Sequence, residues 1–250
     1  MTQNSFSIVI PARLNSIRFK NKILHKIYNL PMIEHVRRRA ELSLIPKKKI
    51  FVATNNQKIT NIVQNFRGNV LKTKLRHDNG TSRVSEIINF ISSRYIIILQ
   101  GDEPLIRPND INKIIKEIIK FPNYEVYNTT SNLTNKEYND KSIVKCILNS
   151  KNEIIDCFRL NKNIKKNTKY KKIMGILIFK KKVLKKYANL KKSYNEKKLS
   201  IEQLRFLDNN YKIKAIQLSK STQSVNYFSD VKKVIKVLNN DSVQNKIYNR

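Results

Sequence analysis

Three short stretches of the chain combine residue types that can do chemistry together. The first is Ile10-Pro-Ala-Arg-Leu-Asn-Ser-Ile-Arg-Phe-Lys-Asn-Lys22, which places Arg13, Arg18 and Lys22 in one loop. Three cations so spaced can grip a polyphosphate, the guanidinium groups through paired hydrogen bonds and the ammonium as a point charge. The loop lacks the glycines of a Walker sequence, and its plain alternative is a solvated basic turn. The second stretch, Asn79-Gly-Thr-Ser-Arg83, opens a predicted helix. There Gly80 allows close approach and Arg83 adds charge, so the segment can receive a phosphate or a polar ligand edge; Asn79 serves equally well as a simple helix cap. The third, Tyr95-Ile-Ile-Ile-Leu-Gln-Gly-Asp-Glu-Pro-Leu-Ile106, ends an apolar run with Gly101 and two carboxylates. Asp102, just past a strand, can hold a Mg²⁺ that in turn holds phosphates, or can cap the next helix; Glu103 is expected to shape the turn before Pro104.

The elements that position these stretches alternate. Ser7–Ile10, Lys49–Thr54, Asn69–Thr73 and Tyr95–Gln100 read as strands. Between them lie helical stripes over Pro31–Ser43, around Ile59, Ile62, Val63 and Phe66, and around Val84, Ile87, Ile88 and Ile91. Ile111, Ile114, Ile115, Ile118 and Ile119 mark a further helix. Such alternation predicts an α/β fold with a mostly parallel sheet and helices on both faces, in which ligands sit beyond the carboxyl ends of the strands. Ser142–Leu148 and Glu153–Leu160, separated by Asn149-Ser-Lys-Asn152, predict an inserted antiparallel hairpin. Strand Ile173–Phe179, helices near Lys181–Leu190 and Ser200–Asn209, strand Tyr211–Leu218 and helix Ser229–Leu238 restore the alternation. With no repeat and no Pro-, Gly- or Ser-rich linker, one domain over residues 1–250 is expected, with 142–172 as an excursion and Asn161–Lys172 as a mobile loop.

Composition narrows the function classes. The chain has 250 residues, 40% of them apolar, which suffices for a core. It contains no apolar run of about 18 residues and starts with no signal-peptide pattern, so no membrane insertion and a cytoplasmic location are expected. Cys146 and Cys157 are the only cysteines and form no Cys-x-x-Cys, so they read as buried thiols rather than a disulfide framework or zinc site. Lys and Arg number 51 against 18 Asp and Glu, a net charge of +33. That charge would suit nucleic acid, but it is spread from Lys20 to Lys246, and the abundance of Lys, Asn and Ile beside four glycines and no Trp has the look of compositional drift. Binding of nucleic acid is therefore not expected. In a chain so poor in glycine, those that persist mark places where a side chain would clash.

Taken in order, IPARLNSIRFKNKIL, PMIEHV, VATNN, HDNGTSRVSEI, LQGDEPLI, SIVKCI, MGI, IEQLRFL and SVNYFSDV make the chain resemble the sugar-nucleotide cytidylyltransferases, most closely the CMP-Kdo synthetases (3-deoxy-manno-octulosonate cytidylyltransferases). The likeness spans nearly the whole chain. It implies a Rossmann-like nucleotidyltransferase fold and transfer of CMP from CTP to an acidic 2-keto sugar, with pyrophosphate released. It further implies that Arg13, Arg18 and Lys22 bind CTP phosphates, that Asn79, Gly80, Arg83 and Gln100 bind nucleotide, and that Gln100, Glu202 and Gln203 face the sugar acid. Lys22, Arg13 and Asp102 would carry catalysis, Asp102 would ligate Mg²⁺, and the hairpin would support a homodimer. In such a reaction the protein positions reactants and neutralises charge rather than offering a nucleophile.

The chain also departs from the family pattern. RFKNKIL stands where the family reads close to RLPGKPL, keeping Lys22 but losing proline and glycine. Ile173 and Leu177 stand where the family tends to have His and Tyr facing the sugar, which motivates a wider class of acids, including an acylneuraminate-like one. Asn226 replaces an acidic residue; its carbonyl oxygen can still meet Mg²⁺, but a full charge is gone and weaker binding is expected. Asn55, where the family often has Asp, points the same way, so a nucleotide-binding relative without turnover is the alternative.

Overall fold

In the computed structural model, residues 3–14, 16–74, 76–160 and 170–248 are described. Along the chain lie β1 (Phe6–Pro11), β2 (Lys26–Ile27), β3 (Leu30–Pro31), α1 (Met32–Ala40), β4 (Ile50–Thr54), α2 (Gln57–Asn65), β5 (Asn69–Lys72), α3 (Gly80–Glu86), β6 (Tyr95–Leu99) and α4 (Pro108–Lys120). Next come β7 (Val126–Ser131), α5 (Asn135–Tyr138), β8 (Lys145–Leu148), β9 (Glu153–Phe158), β10 (Tyr170–Lys180), α6 (Lys181–Tyr187), α7 (Tyr194–Leu199), α8 (Gln203–Asp208), β11 (Ile213–Gln217), α9 (Phe228–Leu238) and α10 (Ser242–Tyr248). They form two compact units, Met1–Lys116 with Thr222–Arg250, and Glu117–Ser221.

In the first unit, β5, β4, β1 and β6 lie side by side in that order, all parallel, with Ile8 opposite both Ile50 and Ile97. The chain leaves β1 towards β4 and β5, then returns to the other side of β1 as β6. The loops after β1 and β6 therefore diverge, which is the switch point where such sheets take ligands. All five residues of β6 are buried, as a parallel strand covered on both faces requires. Met32, Leu105, Val225, Val231, Val234 and Leu238 share one apolar cluster, so α9 closes this unit although about a hundred residues intervene in sequence.

Helix α1 differs from its amphipathic reading, because its polar face is buried as well. Glu34 receives both Nε and Nη2 of Arg37, Arg38 donates to the Ile247 carbonyl at 2.7 Å, and Arg39 donates to Asp241 at 2.5 Å and Gln244 at 3.0 Å. Buried charge is tolerated only when paired in this way. The partners of Arg38 and Arg39 come from α10 and the turn before it, a segment with too little apolar periodicity to stand out in the sequence.

The second unit has a mixed sheet. β7 and β11 run parallel, β10 lies antiparallel to β7, and β8 and β9 form the expected antiparallel hairpin, with β9 also paired to β11 and β8 to β10. The hairpin turn holds because Asn149 Oδ1 accepts from the backbone of Lys151 and Glu153, while Asn152 takes the left-handed conformation at φ 56°. Cys146 and Cys157 are register partners across it, both buried and free. Burial pushes the Cys146 thiol up to about 12, which keeps it inert as a nucleophile. Of the loop expected over Asn161–Lys172, residues 161–169 lie outside the described residues, and Tyr170–Lys172 belong to β10.

Candidate active site

A cavity of about 610 Å³ opens at the carboxyl ends of the first unit's strands. Its wall is built by the residues just past each strand: Arg13 and Arg18 after β1, Asn55 and Asn56 after β4, Arg76, His77, Asn79 and Gly80 after β5, and Gln100, Gly101 and Asp102 after β6. Arg83 and Lys22 line it too. Five cationic side chains thus face a single carboxylate, an imbalance that favours a polyanion with several negative groups.

Lys22 is the best-anchored cation. Its Nζ donates to Asp102 Oδ2 at 2.5 Å and to the Val225 carbonyl at 2.8 Å, while the Val225 N–H donates to the Asp102 carbonyl at 2.9 Å. The end of β6 and the segment before α9 are thereby joined through one ammonium. The Asp102 side chain keeps 28% of its surface exposed, so its carboxylate remains accessible. Arg18 donates to Asn226 Oδ1 at 3.2 Å, and its guanidinium lies 5.3 Å from the Tyr227 ring centroid. Asn226 is held from behind, since its N–H and that of Tyr227 both donate to Asp230 at 3.0 Å. Burial raises the Asp230 carboxyl, but those N–H groups and Lys233 outweigh it and hold the group below its ordinary value.

Asn79 caps α3, its Oδ1 accepting from the Ser82 N–H at 2.8 Å. Gly80 lies so near β1 that a Cβ there would meet Pro11 Cγ at 2.8 Å, and both amide atoms of Gln100 at 3.5 Å. Glycine is thus what lets α3 start against the end of β1. Arg83 donates to Asn55 Oδ1 at 3.2 Å and Thr73 Oγ1 at 2.6 Å, tying the ends of β4 and β5 together. Burial, and then the charge of Arg13, push its guanidinium below its ordinary value.

Arg76 and His77 are cavity residues that sequence reasoning does not single out. His77 Nε2 lies 2.6 Å from Glu86 Oε2, and Glu86 Oε1 accepts from the Lys74 N–H at 2.6 Å, so one carboxylate shapes the loop before α3. The available signal is the His-Asp pair just ahead of the Asn79 cap, weak because the His77 partner Glu86 lies a whole helix away. Glu103 does more than shape a turn: it is buried, and its Oε2 accepts from Thr222 Oγ1 at 2.9 Å.

Glu202 and Gln203 belong to the second unit, at the start of α8. Glu202 accepts from the Tyr187 hydroxyl at 2.9 Å, and Gln203 donates Nε2 to Asn128 Oδ1 at 2.7 Å. α8 is fixed by Arg205, which makes two 2.7 Å hydrogen bonds to the Glu196 carboxylate.

A parallel α/β unit with a cationic cavity at its switch point is the architecture of a nucleotide-handling enzyme. In fold the chain is similar to a Bacillus anthracis structure described as a glucose-1-phosphate thymidylyltransferase, with a TM-score of 0.66 over 93% of this chain and 94% of that one, at 14% identity. The chain belongs to the cytidylyltransferase family, whose model matches residues 7–215, and is a nucleotidyltransferase. It is 30% identical over 241 residues to the 3-deoxy-manno-octulosonate cytidylyltransferase of Escherichia coli, covering 95% of this chain and 98% of that protein. A solved structure of CMP:2-keto-3-deoxy-manno-octonic acid synthetase complexed with CTP superposes with a TM-score of 0.88 at 29% identity, covering 94% of this chain and 98% of that one.

Proposed function

We infer that this protein transfers CMP from CTP to Kdo or a close 2-keto sugar acid, giving a CMP-sugar for lipopolysaccharide synthesis. The observation that carries the reading is the cavity in which five cations meet one carboxylate, in a chain of this family. The anomeric hydroxyl oxygen attacks the α-phosphorus, the bond to the β-phosphate breaks, pyrophosphate leaves and the hydroxyl proton passes to water. Arg13, Arg18 and Lys22 bind the phosphates and neutralise charge as it develops on the leaving group. In the first unit Asn79, Gly80, Arg83 and Gln100 receive the nucleoside; in the second, Glu202 and Gln203 receive the acid.

Among the described residues no cluster of three or more acidic, His or Cys side chains could hold a metal by itself. Asp102 offers one accessible carboxylate and Asn226 Oδ1 a neutral oxygen, a donor set that fits Mg²⁺; together with substrate oxygens these two would hold it. When bound, the metal supplies charge neutralisation on the phosphates. The protein acts in the cytoplasm, and as a homodimer through the 142–172 excursion; the dimer reading is supported by Ile155 and Leu160, which are 55% and 43% exposed there.

The test is pyrophosphate release from CTP with Mg²⁺ across a panel of Kdo, 8-amino-Kdo and neuraminic-type acids. Release with Kdo or its 8-amino relative is expected. Retained CTP binding with no release from any acid would overturn the transfer reaction in favour of a nucleotide-binding relative.

A further inference from the structure

Asn128, in the middle of β7, has no exposed surface, yet its carboxamide is fully engaged. Nδ2 donates to the carbonyls of Thr129 at 2.9 Å, Met174 at 3.0 Å and Ile176 at 3.3 Å, and Oδ1 accepts from Gln203 Nε2 at 2.7 Å. The two ends of a carboxamide are told apart only by their partners. Here the partners decide it, because a backbone carbonyl can only accept. Three carbonyls converge on one end of Asn128, so that end is nitrogen and the oxygen faces Gln203. Only the nitrogen of Gln203 can answer that oxygen.

The arrangement depends on an irregularity in the sheet. Between Ile173 and Leu177 the register of β10 against β7 shifts, four steps along β10 matching two along β7 from Thr130 to Asn128. Within that interval Asn128 Nδ2 bridges the Met174 and Ile176 carbonyls, and Thr129 Oγ1 also donates to Ile176 at 3.2 Å. Beside it, the buried Thr130 hydroxyl has no hydrogen-bond partner among the described residues. The polar run Asn128-Thr-Thr-Ser131 is therefore not ordinary strand core; it carries hydrogen bonding from the shifted register to the start of α8.

We propose that Asn128 is a positioning residue for the sugar-acid site: it locks the Gln203 carboxamide with Nε2 inward, leaving Oε1 as the acceptor for a hydroxyl or ammonium group of the acid. This rests on the reading of Gln203 as a sugar contact. It gives the chain a preference for an acid whose edge at this point donates, and disfavours one that presents a carboxylate or carbonyl oxygen there, since two facing acceptors leave both unpaired.

Two measurements test it. Gln203→Glu keeps the shape but removes the inward donor. As a carboxylate it sets oxygen against Asn128 Oδ1, whereas its neutral form can donate. Its folded pKa then lies above the unfolded value, so the variant should melt near wild type in acid and fall progressively below it as pH rises through the folded pKa. A melting difference that stays constant from about pH 3.5, below the ordinary glutamate value, up to about pH 8 would overturn the assigned orientation without reference to any substrate. In the second measurement, Asn128→Leu should raise KM for the acid about tenfold with KM for CTP unchanged, and adding Gln203→Ala should cost little more, because both changes remove one device. A lower melting temperature with KM for the acid unchanged would make Asn128 structural only and end the proposal. If Gln203→Ala alone leaves that KM unchanged, the contact between Gln203 and the sugar fails, whereas the pH-dependent melt still reports the orientation.

Discussion

The cavity of the first unit and the start of α8 in the second hold their polar groups by opposite means. In the cavity the groups are cations satisfied by side chains: Lys22 by the Asp102 carboxylate, Arg18 by the neutral side-chain oxygen of Asn226. A phosphate that competes for Lys22 or Arg18 can displace either side-chain partner. At α8 the group turned inward is a neutral amide, fixed through Asn128 by backbone carbonyls that no ligand can replace. Side-chain partners that can be exchanged suit a site that must take up and release a polyanion. Locked amides suit a site that must tell one sugar edge from another.

The largest effect is expected where exchange is most direct. Lys22→Met removes a cation proposed to bind phosphate and leaves Asp102 without its counter-charge. kcat/KM should fall about a thousandfold, about 4 kcal/mol of transition-state stabilisation, while KM for the sugar acid stays close to wild type. The melting temperature should drop only modestly, because the partly exposed Asp102 can be solvated. Steady-state kinetics with each substrate varied in turn checks this, and a loss below about tenfold would mean that the Lys22–Asp102 pair is structural and that the contrast between the units is wrong.

Glu196→Ala probes the other side. It strips the guanidinium of Arg205 of both its carboxylate bonds in a place where the side chain is only 6% exposed. Breaking a buried pair from one side costs about 3 kcal/mol or more, so urea unfolding should reveal a large loss of stability. Arg205 also lies 4.6 Å from the Tyr187 ring centroid, and Tyr187 holds Glu202, so the damage should reach KM for the acid before it reaches KM for CTP. Were CTP affinity to suffer equally, the two sites could not be regarded as separately held.

The same division decides how much is legible in the sequence. β1, β4, β5 and β6 fall where the apolar runs place them, and most cavity residues can be found because each lies directly past one of those strands. The β8–β9 hairpin is legible too, since its turn is stabilised by Asn149 and neighbours within four residues. β7 is not, although all six of its residues are buried. Val-Tyr-Asn-Thr-Thr-Ser has neither an apolar run nor alternation, and what stabilises it is remote: the partner of Asn128 lies 75 residues further on. α7 is hidden in a similar way, for it ends at Ser200, which adopts the left-handed conformation at φ 52° without the glycine that usually announces a helix end. Propensity reports neighbours along the chain, and a polar core is decided by neighbours in space.

The smallest effect comes from the cavity wall where α3 starts against β1. Gly80→Ala puts a Cβ 2.8 Å from Pro11 Cγ, and a proline ring cannot swing aside as a long flexible side chain would. The start of α3 must therefore shift by a few tenths of an ångström. Because the same Cβ touches both amide atoms of Gln100, the shift should pass directly into the cavity. KM for CTP should rise about tenfold with KM for the acid nearly unchanged, as expected when positioning rather than a charge is lost. Gly68→Ala is the matched control, since its Cβ would meet Val63 Cγ1 at 2.6 Å and Arg37 Nε at 2.7 Å, neither of them a cavity residue. It should lower stability while sparing CTP. If both variants lose stability alike and neither moves KM for CTP, then Gly80 serves packing alone, and the width of the cavity is set by the cationic loop after β1 rather than by the approach of α3.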